Sequence, residues 1–180
     1  MRKLHVAECW LWTTLDGVEE LHALEDLIVE YFSSLVDVRA LGKLRAPALA
    51  KVELGCFQAF ELPVLKRENL PALRELRLYM LSSLKRLTFL AGLGDSLEKL
   101  ELEYLDVKDI TPLAKLRGLR HVSLRGCGEV RTLKHLRGLK ELRTLDARET
   151  NFKRFGALRE LKGLQYAAGE GYVGNWRTIK

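Results

Sequence analysis

Long apolar runs are absent from this sequence. No stretch of about 18 uncharged apolar residues occurs in its 180 positions, so no membrane span is expected. Proline (4) and glycine (14) are too scarce for a collagenous or low-complexity chain. The 3 cysteines, Cys9, Cys56 and Cys127, are odd in number, widely spaced and in no Cys-x-x-Cys or Cys/His arrangement. That excludes a disulfide framework and a zinc site. The 4 histidines (His5, His22, His121, His135) show no metal-ligand spacing. There is no Gly-x-Ser-x-Gly, no phosphate-binding glycine loop and no His-Glu-x-x-His. Catalytic residues, metal ligands and cofactors are therefore not expected, and the chain reads as a non-enzyme. Its basic opening meets Glu8 at once and offers no small-residue cleavage site, which makes a poor secretory leader. None of Asn69, Asn151 and Asn175 opens a glycosylation sequon. A cytoplasmic protein is the expectation.

What is present is mostly leucine. The chain is 47% hydrophobic and 30% charged, enough of each for one folded domain. Leucine accounts for 38 residues, against 14 valines and isoleucines together. The formal charge of +6 is spread unevenly. Residues 1–107 hold 13 Lys/Arg and 17 Asp/Glu, whereas residues 108–165 hold 15 and 6. Such asymmetry sets up a field along the chain.

The leucines repeat. The template L-x-x-L-x-L fits with its first position near residues 1, 24, 49, 73, 97, 119, 142 and 164. Of its 24 positions, 21 are Leu, Val or Met, where composition alone supplies roughly 7. A second apolar ladder follows, as in Ile110, Leu113, Leu116 and Leu119, or Leu35, Val38, Leu41 and Leu44. Apolar residues every three positions suit a 3₁₀ or short α turn packed back on the strand layer. Thr111 is the expected N-cap of one such turn, with Pro112 at its first position. Pro47 and Pro71 each stand two residues before a repeat begins, where a strand tolerates them.

On these residues the chain resembles the leucine-rich repeat family. The stretches LDVKDITPLAKLRGLRHVSLRGC and VRTLKHLRGLKELRTLDARETNF are most similar to the short repeats of internalin-type and phosphatase-regulator-type members. The resemblance implies an α/β fold: a right-handed solenoid with a curved parallel β-sheet on its concave side, and 3₁₀ or short helices and turns on its convex side. Residues 1–180 read as a single such domain, with 165–180 as a C-terminal cap in which Tyr172, Trp176 and Ile179 fold over the last repeat. Met1 already occupies a repeat position, so the first strand is expected to be a sticky edge, covered in part by Trp10 and Trp12. It would be open to self-association, a partner or an upstream domain. The family usually places Asn at the ninth repeat position, and here that column reads Cys9, Phe32, Phe57, Leu81, Leu105, Cys127 and Thr150. Phe and Leu cannot hydrogen-bond, so irregular turns are expected in repeats two to five.

In a strand side chains alternate, so the odd template positions face outward. Arg77 is expected beside Glu53 and Glu101, which favours the native register. Ile28, Tyr31, Tyr79, Met80 and Tyr104 form an aromatic-rich cluster on repeats two to five, around a low spot at Gly55 and Cys56. Such residues are enriched at interface cores. The candidate partner-binding residues are therefore Ile28, Tyr31, Arg77, Tyr79, Met80, Glu101, Glu103, Tyr104, Arg125 and Arg148. The expected function is a non-enzymatic scaffold that binds a partner protein on its concave face, in a regulatory, adaptor or inhibitor/immunity-type role. The alternative is a basic subunit of a ribonucleoprotein or other polyanion complex. That reading uses the 108–165 flank: Lys115, Arg117, Arg131, Lys134, Arg137, Lys153, Arg154, Arg159 and Lys162.

Overall fold

The computed structural model describes residues 1–152, 155–169 and 172–175. Each template hexad contributes one short strand, because its alternating apolar residues need a buried face and its turn follows within a few residues. The strands are β1 (Lys3–Ala7), β2 (Asp26–Glu30), β3 (Lys51–Gly55), β4 (Glu75–Tyr79) and β5 (Lys99–Glu103). They continue as β6 (His121–Ser123), β7 (Thr144–Asp146), β8 (Tyr166–Gly169) and β9 (Tyr172–Asn175). All belong to one sheet in sequential order. β1 to β8 run parallel, and β9 returns antiparallel on β8.

The pairing register coincides with the repeat register. Leu4 pairs with Leu27, Leu27 with Val52, Val52 with Leu76, and Leu76 with Leu100. The column runs on through Val122 and Leu145 to Ala167. A slip of one residue would turn every leucine of a strand to solvent, so burial enforces this alignment. Leu27, Leu76, Leu100 and Leu145 are all fully enclosed, at 1% exposure or less. They belong to one continuous apolar core.

Between strands the chain returns through 3₁₀ turns, among them Arg39–Gly42, Thr88–Gly92, Thr111–Lys115 and Lys134–Leu136. The start of the third differs from expectation. Thr111 is its first residue, and the N-cap is Ile110, which makes no side-chain cap bond. Instead the Thr111 N–H donates to Asp109 Oδ1 at 2.8 Å. The same device recurs where Arg39 N–H donates to Asp37 and Lys134 N–H to Thr132. A polar side chain two residues upstream satisfies the orphan donor, which frees the cap position for the buried Val38, Ile110 and Leu133.

The turns that leave the strands are regular, contrary to the reading of the ninth column. Each places its eighth residue in the left-handed region: Glu8, Tyr31, Cys56, Met80, Tyr104, Gly126 and Glu149 have φ between 52° and 70°. The ladder between coils carries on through this bend. Cys56 N–H donates to Tyr79 O, Met80 N–H to Glu103 O and Tyr104 N–H to Arg125 O. Donors are thus met by the next coil's backbone, and the ninth side chain needs no amide. Phe32, Phe57, Leu81 and Leu105 fill the core there, while Thr150 Oγ1 and Cys127 Sγ reach carbonyls at 2.7 and 3.2 Å. Burial pushes the Cys127 thiol up to about 11, consistent with a small buried core residue.

At the N-terminal end Leu4, Val6, Cys9 and Leu21 are only partly buried. Trp12 leans on Phe32 of the second repeat, ring centroids 6.2 Å apart, while Trp10 and Leu11 stay exposed. The expected closure by Trp176 and Ile179 lies outside the described residues, as does the Tyr172 side chain. Among the described residues no helix is long and apolar enough to cross a membrane.

Because each coil contacts mainly its neighbours, a cavity in the central column weakens the array on both sides. Leu100→Ala is expected to lower stability by about 2–5 kcal/mol, read as a shift of the urea midpoint. An unchanged midpoint would show that this column is not the core.

Candidate functional site

The outward columns of the sheet carry charge that is largely settled inside the chain. Lys3 Nζ lies 2.7 Å from Asp26, and Lys99 Nζ lies 3.1 Å from Glu101. Arg77 is the hub. Its guanidinium sits 2.8 Å from Glu53, 3.2 Å from Glu103 and 3.9 Å from Glu101. It also stacks 4.6 Å from the centroid of the Tyr79 ring. Ser123 donates to the second oxygen of Glu103 at 3.0 Å. Arg125 pairs with Glu149 at 2.9 Å, and Arg148 lies against Asp146 with Nε 2.9 and 3.1 Å from its two oxygens. The Arg77 and Arg125 pairs cross between coils and favour the register of neighbouring strands, whereas Arg148–Asp146 and Lys99–Glu101 close within one coil; a partner would have to break a bond to use any of them.

The aromatic cluster divides into two roles. Tyr79 is buried, and its ring lies across Gly55, where a Cβ would collide with the ring carbons. Only glycine leaves room for it, so the expected low spot is filled. The Tyr79 hydroxyl donates to Glu30, which His5 Nε2 also approaches, at 2.8 Å. The Tyr79 hydroxyl first, then His5 and Arg77, hold the Glu30 carboxyl below its ordinary range against the opposing effect of burial. Burial and the Glu30 charge push the Tyr79 phenol far upward. The Tyr104 ring also lies over a glycine, Gly126, with Arg125 5.7 Å from its centroid, but unlike Tyr79 it keeps an exposed face.

Tyr31, Met80 and Tyr104 have a different environment. They are 50%, 57% and 42% exposed and stand at the left-handed eighth position of the second, fourth and fifth coils. Cys56 completes the row, with Sγ 3.8 Å from Met80 Sδ. Four consecutive coils thus place Tyr31, Cys56, Met80 and Tyr104 in one row along the rim of the sheet. Sequence columns placed these residues side by side, but nothing in them signalled the backbone conformation that lifts them outward. Ile28, half-buried, sits on the sheet face between His5 and Glu53. Further along, Glu101, Glu103, His121, Ser123, Asp146 and Tyr166 border a polar hollow of about 190 Å³. Within it His121 Nδ1 lies 2.9 Å from Thr144 Oγ1. Among the described residues no cluster of three or more His, Cys, Asp or Glu is placed to hold a metal ion.

Glu30 supplies a titration test. Its folded value is depressed, so its contribution to stability is present above the unfolded value of about 4.3 and is lost as pH falls through the folded one. The wild type is expected to lose stability as pH falls below about 5, through and beneath the ordinary carboxylate range. Tyr79→Phe keeps the ring over Gly55, removes the hydroxyl, and should lose less over that interval. Equal losses by urea titration would remove Glu30 and Tyr79 from the account.

No family model matches the chain, and no curated protein matches it. Among solved structures, internalin C2 from Listeria monocytogenes is similar with a TM-score of 0.60 and 20% identity, over 93% of this chain and 80% of that one. The functional domain of InlJ from the same organism, which includes a cysteine ladder, gives a TM-score of 0.52 at 15% identity, over 87% of this chain and 41% of that one. The likeness at such identity is one of fold. It agrees with what the coils show by themselves, parallel strands in leucine register closed by 3₁₀ turns, and the chain has the leucine-rich repeat fold in common with the internalins.

Proposed function

We propose that this protein is a non-enzymatic scaffold that binds a partner protein along the rim of its sheet, with Tyr31, Met80 and Tyr104 as anchors. The rim row over four successive coils carries this reading. Aromatic residues and methionine are enriched at interface cores, and a few such anchors dominate affinity. The row is also preorganised. Each anchor sits on backbone tied to the next coil, so binding orders little of the scaffold. Arg77, Glu101, Glu103, Arg125 and Arg148 hold the surface in shape beside the anchors, and Ile28 and Tyr79 support it from the sheet. Tyr31→Ala combined with Tyr104→Ala is expected to weaken capture of proteins retained by the wild type by about 10- to 100-fold, with an unchanged fold. Quantitative mass spectrometry of the retained proteins checks this, and equal retention by both forms would defeat the proposal.

A second reading has its own support. Lys115, Arg117, Arg131, Lys134, Arg159 and Lys162 are exposed and have no ion pair among the described residues, although Arg137 lies 3.8 Å from Glu160. Lys153 and Arg154 fall outside the described residues. None of the large exposed apolar side chains described belongs to residues 108–165. A surface of this kind attracts phosphates by charge alone. Duplex RNA or DNA should then bind at low salt, with an affinity falling linearly on a log–log plot against salt. Absence of a mobility shift at about 50 mM salt would dispose of this reading.

A further inference from the structure

Six large exposed apolar side chains lie away from the sheet, on the segments that leave the first three strands. They are Trp10 (63% exposed), Leu11 (90%), Trp12 (51%), Val36 (54%), Phe60 (68%) and Val64 (46%). Hydrogen bonds join the first two of these segments. The Val36 and Asp37 N–H groups both donate to Thr13 O, at 3.2 and 3.0 Å, and Thr14 bridges to Asp37. Val36 and Phe60 then line a common cavity of about 430 Å³. From the fourth coil onward the corresponding stretch carries exposed Lys85, Lys108 and Arg131 instead. The apolar character is thus confined to the first three coils.

We propose that this flank is the interface of a twofold dimer of the chain. Area argues first. With an aromatic side chain worth about 150–250 Å² and the exposures above, the patch amounts to on the order of 600 Å² per copy. That is at or above the largest apolar patch of an ordinary monomer, about 300–600 Å². Two copies face to face would bury about 1,200 Å² or more, which enters the range of stable specific interfaces. Charge argues second. Asp37 and Arg39 on the cavity wall already pair with each other at 2.6 Å, so beside the apolar side chains the wall offers a partner little charge beyond the exposed Glu61. A predominantly apolar surface can face a copy of itself, and a self-complementary patch closes on a twofold axis.

Sedimentation velocity over about 1–100 µM tests the proposal, because association follows mass action. The weight-average mass of the wild type should rise from 20.6 kDa toward twice that value. Raising salt to about 0.5 M should leave the dimer intact, since screening weakens only exposed charge pairs. Leu11→Asp combined with Phe60→Asp should stay at the monomer mass with an unchanged melting midpoint. If that variant fails to fold, Phe60→Asn alone carries the comparison. A wild type that remains monomeric throughout, a dimer dissolved by salt, or a variant that associates like the wild type would each overturn the inference. The rim anchor Tyr104 lies outside this flank, so loss of dimerisation and loss of partner capture are separately readable.

Discussion

Burial of one leucine column against the next governs this molecule. A coil of about 23 residues cannot bury its own apolar face, and it becomes stable only when a neighbour in register covers it. The backbone ladder that links adjacent coils forms in the same step, because the register that buries Leu76 on Leu100 also aligns Glu75 with Lys99 and Arg77 with Glu101. Charge pairing on the sheet face and leucine packing beneath it select a single alignment. Agreement between levels of this kind is what makes a sequence specify one structure.

That constraint reaches the surface through the turns. The chain must leave the sheet after about five strand residues, and it does so through a left-handed residue whose N–H, in the second to sixth coils, still finds the next coil. Six of the seven residues in that conformation are not glycine, although a side chain there costs some free energy. The inter-coil hydrogen bonds and the buried ninth residue offset that cost. The result is an outward-tilted row in which Tyr31, Cys56, Met80 and Tyr104 stand together.

The protein carries three surfaces of different chemistry along its length. An apolar flank marks the first three coils, an aromatic rim the second to fifth, and a cationic convex flank the later ones. Because the three surfaces lie on different coils or on different sides of them, each is free to differ from its neighbours. The sheet face between them is largely neutralised by its own ion pairs, with Arg77 bridging three carboxylates. Arginine suits that position because its planar fork and aromatic stacking can be used at once.

Much of the fold was legible in the sequence. Leu27, Leu76, Leu100 and Leu145 recur at a fixed interval, and periodic burial needs only that interval to define strands, register and core. The charge alternation Lys3, Asp26, Lys51, Glu75, Lys99 was readable for the same reason, since stacked coils turn one column of letters into one row of neighbours. The candidate site was legible only as a list of adjacent residues. That Tyr79 is buried over Gly55 while Tyr104, lying over Gly126, stays exposed depends on room left by the neighbouring coil and on the sign of φ at the bend, and neither follows from spacing. The ninth column misled for a related reason: backbone from the adjacent coil, hundreds of atoms away along the chain, supplies the partners that the missing Asn would have given. Sequence determined the repeat, because burial is periodic and local in pattern; tertiary structure decided which side chains a partner can reach, because exposure is set by what the neighbouring coil has already filled.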